Sequence, residues 1–385
     1  MTTATHAHSQ NVHSQASHSD KAGVISMQRL QAFYKEGIIS STKPLSENQI
    51  QPASMDLRLG TKAYRVRAGF LPGKKNTVAD RIQSLLMHEI DLTESGVLER
   101  GAVYIIPLQE HLALPFDVSG VVSPKSSTGR LDIMTRLITD HCTSFDQIEK
   151  GFSGQLYLEV TPLTFSIIAR EGDTLNQLRL RQGVDILNDE QLTALHTQTS
   201  LVYVGDKAEE AVIDKGLWLS VDLEGKDSDA IIGYRSRKSA PLVDLRKINH
   251  YDIEEFWEPI RRPTSGQLIL DPEEFYILAS RERIVIPVEY SCEMMAYETN
   301  AGELRVHYAG FFDPGFGVDT NGKMGRRAVL EVRSHDVPFV LEDGQKICRM
   351  VYEHMQDVPQ VSYGIEMASN YANQGLKLAK QFRMK

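Results

Sequence analysis

Cysteine is scarce in this 385-residue chain: Cys142, Cys292 and Cys348 stand far apart, and no C-x-x-C pair occurs. That leaves no basis for a disulfide framework or a thiolate zinc site, and the expected setting is a reduced, cytoplasmic one. No apolar run approaches the roughly 20 residues needed to cross a bilayer, so no membrane span is expected. Residues 1–23 are rich in His, Ser, Gln and Thr and lack the apolar stretch of a signal peptide. A segment so polar cannot bury a core and is expected as a disordered tail. A basic excess is missing too. The 42 Lys and Arg against 51 Asp and Glu give a net charge of −9, which argues against a nucleic-acid partner. A small anion needs only a few local cations, so such a ligand stays open.

What the chain does have is a repeat. Residues 104–172 recur as 276–344 without a gap: Tyr104-Ile105-Ile106 returns as Tyr276-Ile277-Leu278, Leu158-Glu159-Val160 as Leu330-Glu331-Val332, and Gly172 as Gly344. A register of 172 held over this length marks an internal duplication. The similarity extends upstream with a shift, where Ser54-Met55-Asp56-Leu57 resembles Ser220-Val221-Asp222-Leu223; stretches 62–100 and 226–262 then differ. Short β-rich runs broken by Pro, Gly and Asp, such as Val103–Pro107, Gly120–Ser123 and Gln155–Thr161, favour an antiparallel sandwich or barrel in each copy. Few helices are expected, one of them over 26–37 with Ser26 as its cap and Gly37 at its end. The expected division is a tail (1–23), a first repeat (24–200), a second (201–359) and a C-terminal segment (360–385), either solvated or a flap over a site.

The copies differ where chemistry would lie. Lys125-Ser126-Ser127-Thr128-Gly129-Arg130 offers hydroxyls, a turn glycine and two cations suited to phosphate oxygens, or else a plain helix cap with a solvated Arg. The second copy has Tyr297-Glu298-Thr299-Asn300-Ala301-Gly302 there. In its turn, the second copy has His307–Gly317 with Asp313-Pro314-Gly315, a hairpin whose aromatics could flank a flat ring or simply fill a core. Glu159 and Glu331 each sit in an apolar strand. Such a carboxylate either has a cation partner, here Arg130 or Arg333, or is a base whose pKa burial has raised.

Taken in order, these segments resemble the dCTP deaminases of the dUTPase-like superfamily. The resemblance is carried by Gln51–Gly60, Lys125–Arg130, Phe152-Ser153-Gly154 leading to Glu159, Phe312–Phe316, and Tyr363 with Asn370–Gly375. It implies a mainly β protein of two tandem distorted, jelly-roll-like β-barrels, with barrels assembled as a homotrimer and nucleotide sites between neighbours. It implies hydrolysis of dCTP to dUTP and ammonia, with a glutamate as general base, no catalytic zinc, Mg²⁺ carried on the triphosphate, and dTTP as an inhibitor. By position, Lys125, Ser126, Ser127 and Arg130 match the phosphate segment. Glu159 and Glu331 both match the base. Ala309 and Asp313 match the hairpin that holds base and sugar, and Tyr363, Asn370 and Gln374 match the flap. Zinc nucleobase deaminases carry H-x-E and P-C-x-x-C, neither of which occurs here.

The departures are complementary. The first copy has Asp140–Gln147 in place of the hairpin, and the second lacks the Ser-Ser-x-x-Arg set. Asn370 stands where a flap lysine belongs, with Lys377 and Lys380 near it in sequence. The expectation is one composite site per chain: phosphate ligands from copy one, hairpin and Glu331 from copy two. The competing readings are a dUTPase or bifunctional enzyme, disfavoured by the Pro-Gly after Asp313, and an inactive nucleotide-binding module.

Overall fold

The computed structural model describes residues 21–205, 207–225, 230–295, 304–306, 310–318, 325–334, 336–362 and 376–383. The expected tail over 1–20, the segment around Glu298, and Ala309, Tyr363, Asn370 and Gln374 lie outside them. The protein is mainly β. Gly23 is not part of a tail: it pairs with Gln182, its φ of +138° and the His354 carbonyl 2.6 Å from where a Cβ would stand admitting only glycine. The expected first helix spans Met27–Lys35, with Leu30 and Phe33 buried. Ser26 precedes it but makes no side-chain cap, its buried hydroxyl having no hydrogen-bond partner among the described residues.

The repeat is visible hydrogen bond by hydrogen bond. Ser153–Pro162 pairs with Val103–Ala113, and Arg326–Ser334 with Phe275–Ile284. Glu159 stands opposite Ile105 as Glu331 stands opposite Ile277, the same 172-residue offset in both partners. The Tyr104 hydroxyl accepts the Glu99 N–H, and Tyr276 accepts that of Asp271. Upstream, the structure corrects the sequence alignment. Glu110 accepts the Arg58 N–H as Glu282 accepts that of Ser220, and Gly172 donates to Leu59 as Gly344 donates to Val221. The true offset there is 162 (221 − 59), so Ser220 is the counterpart of Arg58 and not of Ser54.

Each half folds as strands wrapped around its own apolar core, yet the halves are interlocked. Val243–Asp244 runs parallel to Ile167–Ala169 of the first half. Phe256, Trp257, Phe275 and Ile277 lie in the first core, together with Leu378 and Phe382 from the C-terminus. Leu187 and Leu192, before residue 200, pack instead into the second core. The C-terminal residues 376–383 are therefore docked, not solvated. The alternation of strand Arg326–Ser334 explains how a site arises between halves. Ala328, Leu330 and Val332 point into the second core, while Val329 joins the first. Period two then places Glu331 and Arg333 on the face turned toward the first half. Arg333 accordingly pairs with Asp132, which also accepts the Thr164 hydroxyl.

In the first half the same face is closed differently. Tyr157, Ile105 and Ile138 are covered by the helix Val78–Leu85, whose start Thr77 caps through a reciprocal bond pair with Asp80. This helix lies in the stretch 62–100, where the first copy differs from 226–262 of the second. The first copy's substitute for the hairpin is its other wall: Asp140 accepts the Val78 N–H, Phe145 stacks under Arg136, and Asp146 accepts the Leu137 N–H.

Candidate active site

Lys125–Arg130 follows the strand Val118–Pro124, which ends where Pro124 removes a ladder donor. The segment closes a single helical turn, Ser126–Gly129, pinned by Lys125 N–H on Leu175 O (2.9 Å) and by the Thr128 hydroxyl on the same carbonyl (2.6 Å). Ser126 is left exposed and Ser127 half-buried, while Arg130 is buried. Lys125 pairs with Asp56 and donates to the Thr174 hydroxyl at 3.1 Å. Beside this turn lies a cleft of about 250 Å³ lined by Ser127, Thr128, Thr174, Arg246 and Lys380. Lys380 is held below the usual ammonium range by burial and then by the charge of Lys125, with Asp56 and Asp173 pulling the other way.

The two glutamates, twins in sequence, part here. Glu331 is 5% exposed, and its Oε1 stands 3.8 Å from Nε of Arg130 in the other half. Burial pushes its pKa up to about 7 against the pull of Arg130. Glu159 is locked: Arg136 donates two N–H groups to its Oε1, one from Nε at 2.8 Å. Gly69 presses on it so closely that a Cβ there would meet Oε2 at 2.5 Å. Of the partners expected from sequence, Arg130 therefore belongs to Glu331, Arg333 to Asp132, and Glu159 has Arg136.

The turn expected at Asp313-Pro314-Gly315 forms, but the strand before it pairs with a different strand and, among the described residues, not across the turn. Phe311–Phe312 pairs with Tyr290–Met295, and Phe316 N–H closes the turn on Asp313 O at 3.1 Å. Gly317, at φ +78° with the Ile284 carbonyl 2.1 Å from any Cβ, fixes the exit. What holds this turn is Arg179 of the first half. It donates to Cys292 O (3.1 Å) and Phe312 O (3.4 Å), stacks on Phe311 (4.1 Å) and stands 3.5 Å from Asp313 Oδ1. Burial outweighs this cation and lifts Asp313 to about 6, with Asp56 adding repulsion. Asp56 thus lies within electrostatic reach of both Lys125 and Asp313, and the phosphate-type turn and the Asp313 turn are neighbours.

Sequence reasoning missed Arg179, Asp56 and Arg136 as partners. Asp56 lay unremarked within Gln51–Gly60, and Arg179 stood among other polar residues of its strand with no signal to single it out. Arg136 became visible only through the register opposite Glu159.

A carboxylate buried between two copies of one barrel, lifted towards neutrality by burial and faced by Arg130, is suited to acid–base chemistry. The chain belongs to the 2'-deoxycytidine 5'-triphosphate deaminase family: the family's N-terminal domain model matches residues 21–184 and its C-terminal domain model residues 188–382. The solved 2'-deoxycytidine 5'-triphosphate deaminase from Agrobacterium tumefaciens is 48% identical, with a TM-score of 0.83 over 87% of this chain and 99% of that one. The dUMP-forming dCTP deaminase of Methanobrevibacter smithii is 28% identical over 142 residues, 36% of this chain and 69% of that protein. The dCTP deaminase of Haemophilus influenzae is 30% identical over 138 residues, 34% and 67% respectively.

Proposed function

We propose that this protein hydrolyses dCTP to dUTP and ammonia at one composite site per chain, with Glu331 as the general base. The observation that carries this reading is the pairing of Arg130 from the first half with the buried Glu331 of the second. A base is most effective when its pKa lies near the working pH, and Glu331 is lifted to about 7. Its carboxylate takes a proton from a water as the water oxygen bonds to C4 of cytosine. That proton passes to N3, which received the C4–N3 π pair on attack. The carboxylate then takes the proton of the new C4 hydroxyl and hands it to the amino group, so that the C4–N bond breaks, C4=O forms and ammonia leaves. Arg130 keeps Glu331 ionised enough to begin the cycle. Lys125, Ser126, Ser127 and Lys380 would hold the triphosphate, which brings its Mg²⁺ as part of the substrate. The Asp313 turn, braced by Arg179, would carry base and sugar. Ala309, Tyr363, Asn370 and Gln374 keep the roles implied by resemblance. Glu159, engaged by Arg136 and sealed by Gly69, serves structure.

Incubation with dCTP and Mg²⁺, followed by analysis of ammonia, dUTP, dUMP and pyrophosphate, tests the reading. Equal amounts of ammonia and dUTP are expected. Ammonia with dUMP and pyrophosphate would instead make the enzyme bifunctional, and the absence of any product would leave a nucleotide-binding module.

A further inference from the structure

Residues 376–383, the end of the segment expected to be solvated or a flap over a site, are anchored in the first core. Leu378, Ala379 and Phe382 are fully buried in the first core. Phe382 meets Phe256 at 5.2 Å and Trp257 at 5.9 Å, both edge to face. The backbone is tied as firmly: Asn249 N–H donates to Lys380 O (2.9 Å), His250 N–H to Gln381 O (2.8 Å), and Arg383 N–H to Tyr251 O (2.9 Å). One carbonyl of this plug faces the site. Lys377 O accepts Nη1 of Arg130 at 3.0 Å.

We propose that this C-terminal plug is a positioning element for the reaction, in which the Lys377 carbonyl, fixed by the burial of Leu378 and Phe382, aims the Arg130 guanidinium at Glu331. The inference rests on the reading of Glu331 as the base. A guanidinium offers five N–H groups in a rigid plane, so an acceptor on one nitrogen sets the direction of the others. A carbonyl orients it without adding a negative charge that would compete with Glu331 for the cation. The 3.8 Å between Arg130 Nε and Glu331 Oε1 is an ion-pair distance, longer than a hydrogen bond, so the pair does not orient itself strongly. The fixed carbonyl supplies that orientation.

The charged and titratable groups around Glu331 come from every neighbouring element. Arg130 faces it from the phosphate-type turn, and Lys377 lies close enough to Arg130 for each to repel the other. Cys348 feels Glu331 from the strand Lys346–His354, and Arg333 on its own strand is engaged by Asp132. Among these, Arg130 is the group that draws Glu331 down against burial. If the plug loosens, the guanidinium turns away and Glu331 keeps its proton to higher pH.

The test uses the full chain with Phe382→Ala, the milder Leu378→Val, and Phe382→Leu as the conservative variant. Phe33→Ala, a cavity in the same core on the helix Met27–Lys35, is the control. Glu331 is followed by carboxyl ¹³C titration of glutamate-labelled protein, with Glu331→Gln assigning the signal, beside the pH profile of dCTP turnover. Phe382→Ala should move both the carboxyl midpoint and the acid limb of kcat/KM up by about one pH unit, about a tenfold loss below the midpoint and little above it. Leu378→Val should move them less, Phe382→Leu should restore them, and Phe33→Ala should leave them in place. An unmoved Glu331 titration in both Phe382→Ala and Leu378→Val overturns the inference, as does an equal shift in Phe33→Ala. Wild-type protein that does not turn over dCTP would refute the proposed reaction, and the carboxyl titration alone would then decide for or against the plug.

Discussion

Replacing Glu331 by Gln should inactivate the enzyme and, above neutral pH, make it more stable. The carboxyl rises from 4.5 in the unfolded chain to about 7 in the folded protein, because burial disfavours its charged form. Between those values the native state holds a proton that the unfolded state has released, so stability falls as pH rises through this window. A gap of this size corresponds to roughly 3 kcal/mol at about 1.4 kcal/mol per unit, present in full above pH 7 and absent below pH 4.5. Glutamine, neutral throughout and of the same shape, removes that loss. The urea midpoints of the two proteins should nearly coincide at pH 5 and diverge by pH 8 in favour of Glu331→Gln. Other buried acids, such as Asp146 and Asp313, cancel in the difference. Glu159→Gln should do the reverse: it leaves turnover and costs about 3 kcal/mol by stranding Arg136 beside a buried neutral group. A stability difference between wild type and Glu331→Gln that stays flat from pH 5 to pH 8 would refute the argument.

Equilibrium dialysis of Glu331→Gln against dCTP should give one nucleotide per chain; two per chain would place a second site in the first half. Gly69→Ala should destabilise by about 1–3 kcal/mol, since its methyl would lie 2.5 Å from Glu159 Oε2 and 3.1 Å from Arg136, and leave kcat unchanged. A fall in kcat without loss of thermal stability would count against Glu159 as structural.

Much of the architecture was legible because strands and repeats write themselves locally. Glu159 and Glu331 could be placed on opposite faces from their neighbours by alternation alone, and Asp313-Pro314-Gly315 formed its turn. Letter similarity failed upstream, where Ser54 and Ser220 share a motif but not a hydrogen-bonding position. The partner of Glu159 was out of reach because it depends on strand register and on the stretch 62–100, whose helix closes that face. The docking of Leu378 and Phe382 was hidden for a related reason: two apolar residues in a polar tail gain meaning only beside Phe256 and Trp257.

That docking has a consequence for how the chain is made. The barrel synthesised first is completed late, because its core waits for Trp257, Phe275 and Phe382, all from sequence beyond the first repeat. A nascent chain can form the strands of the first half but cannot fill its interior until Phe382 has been made. Neither half is then a domain that could be cut out and kept, and the duplication has produced two copies that no longer have separate lives.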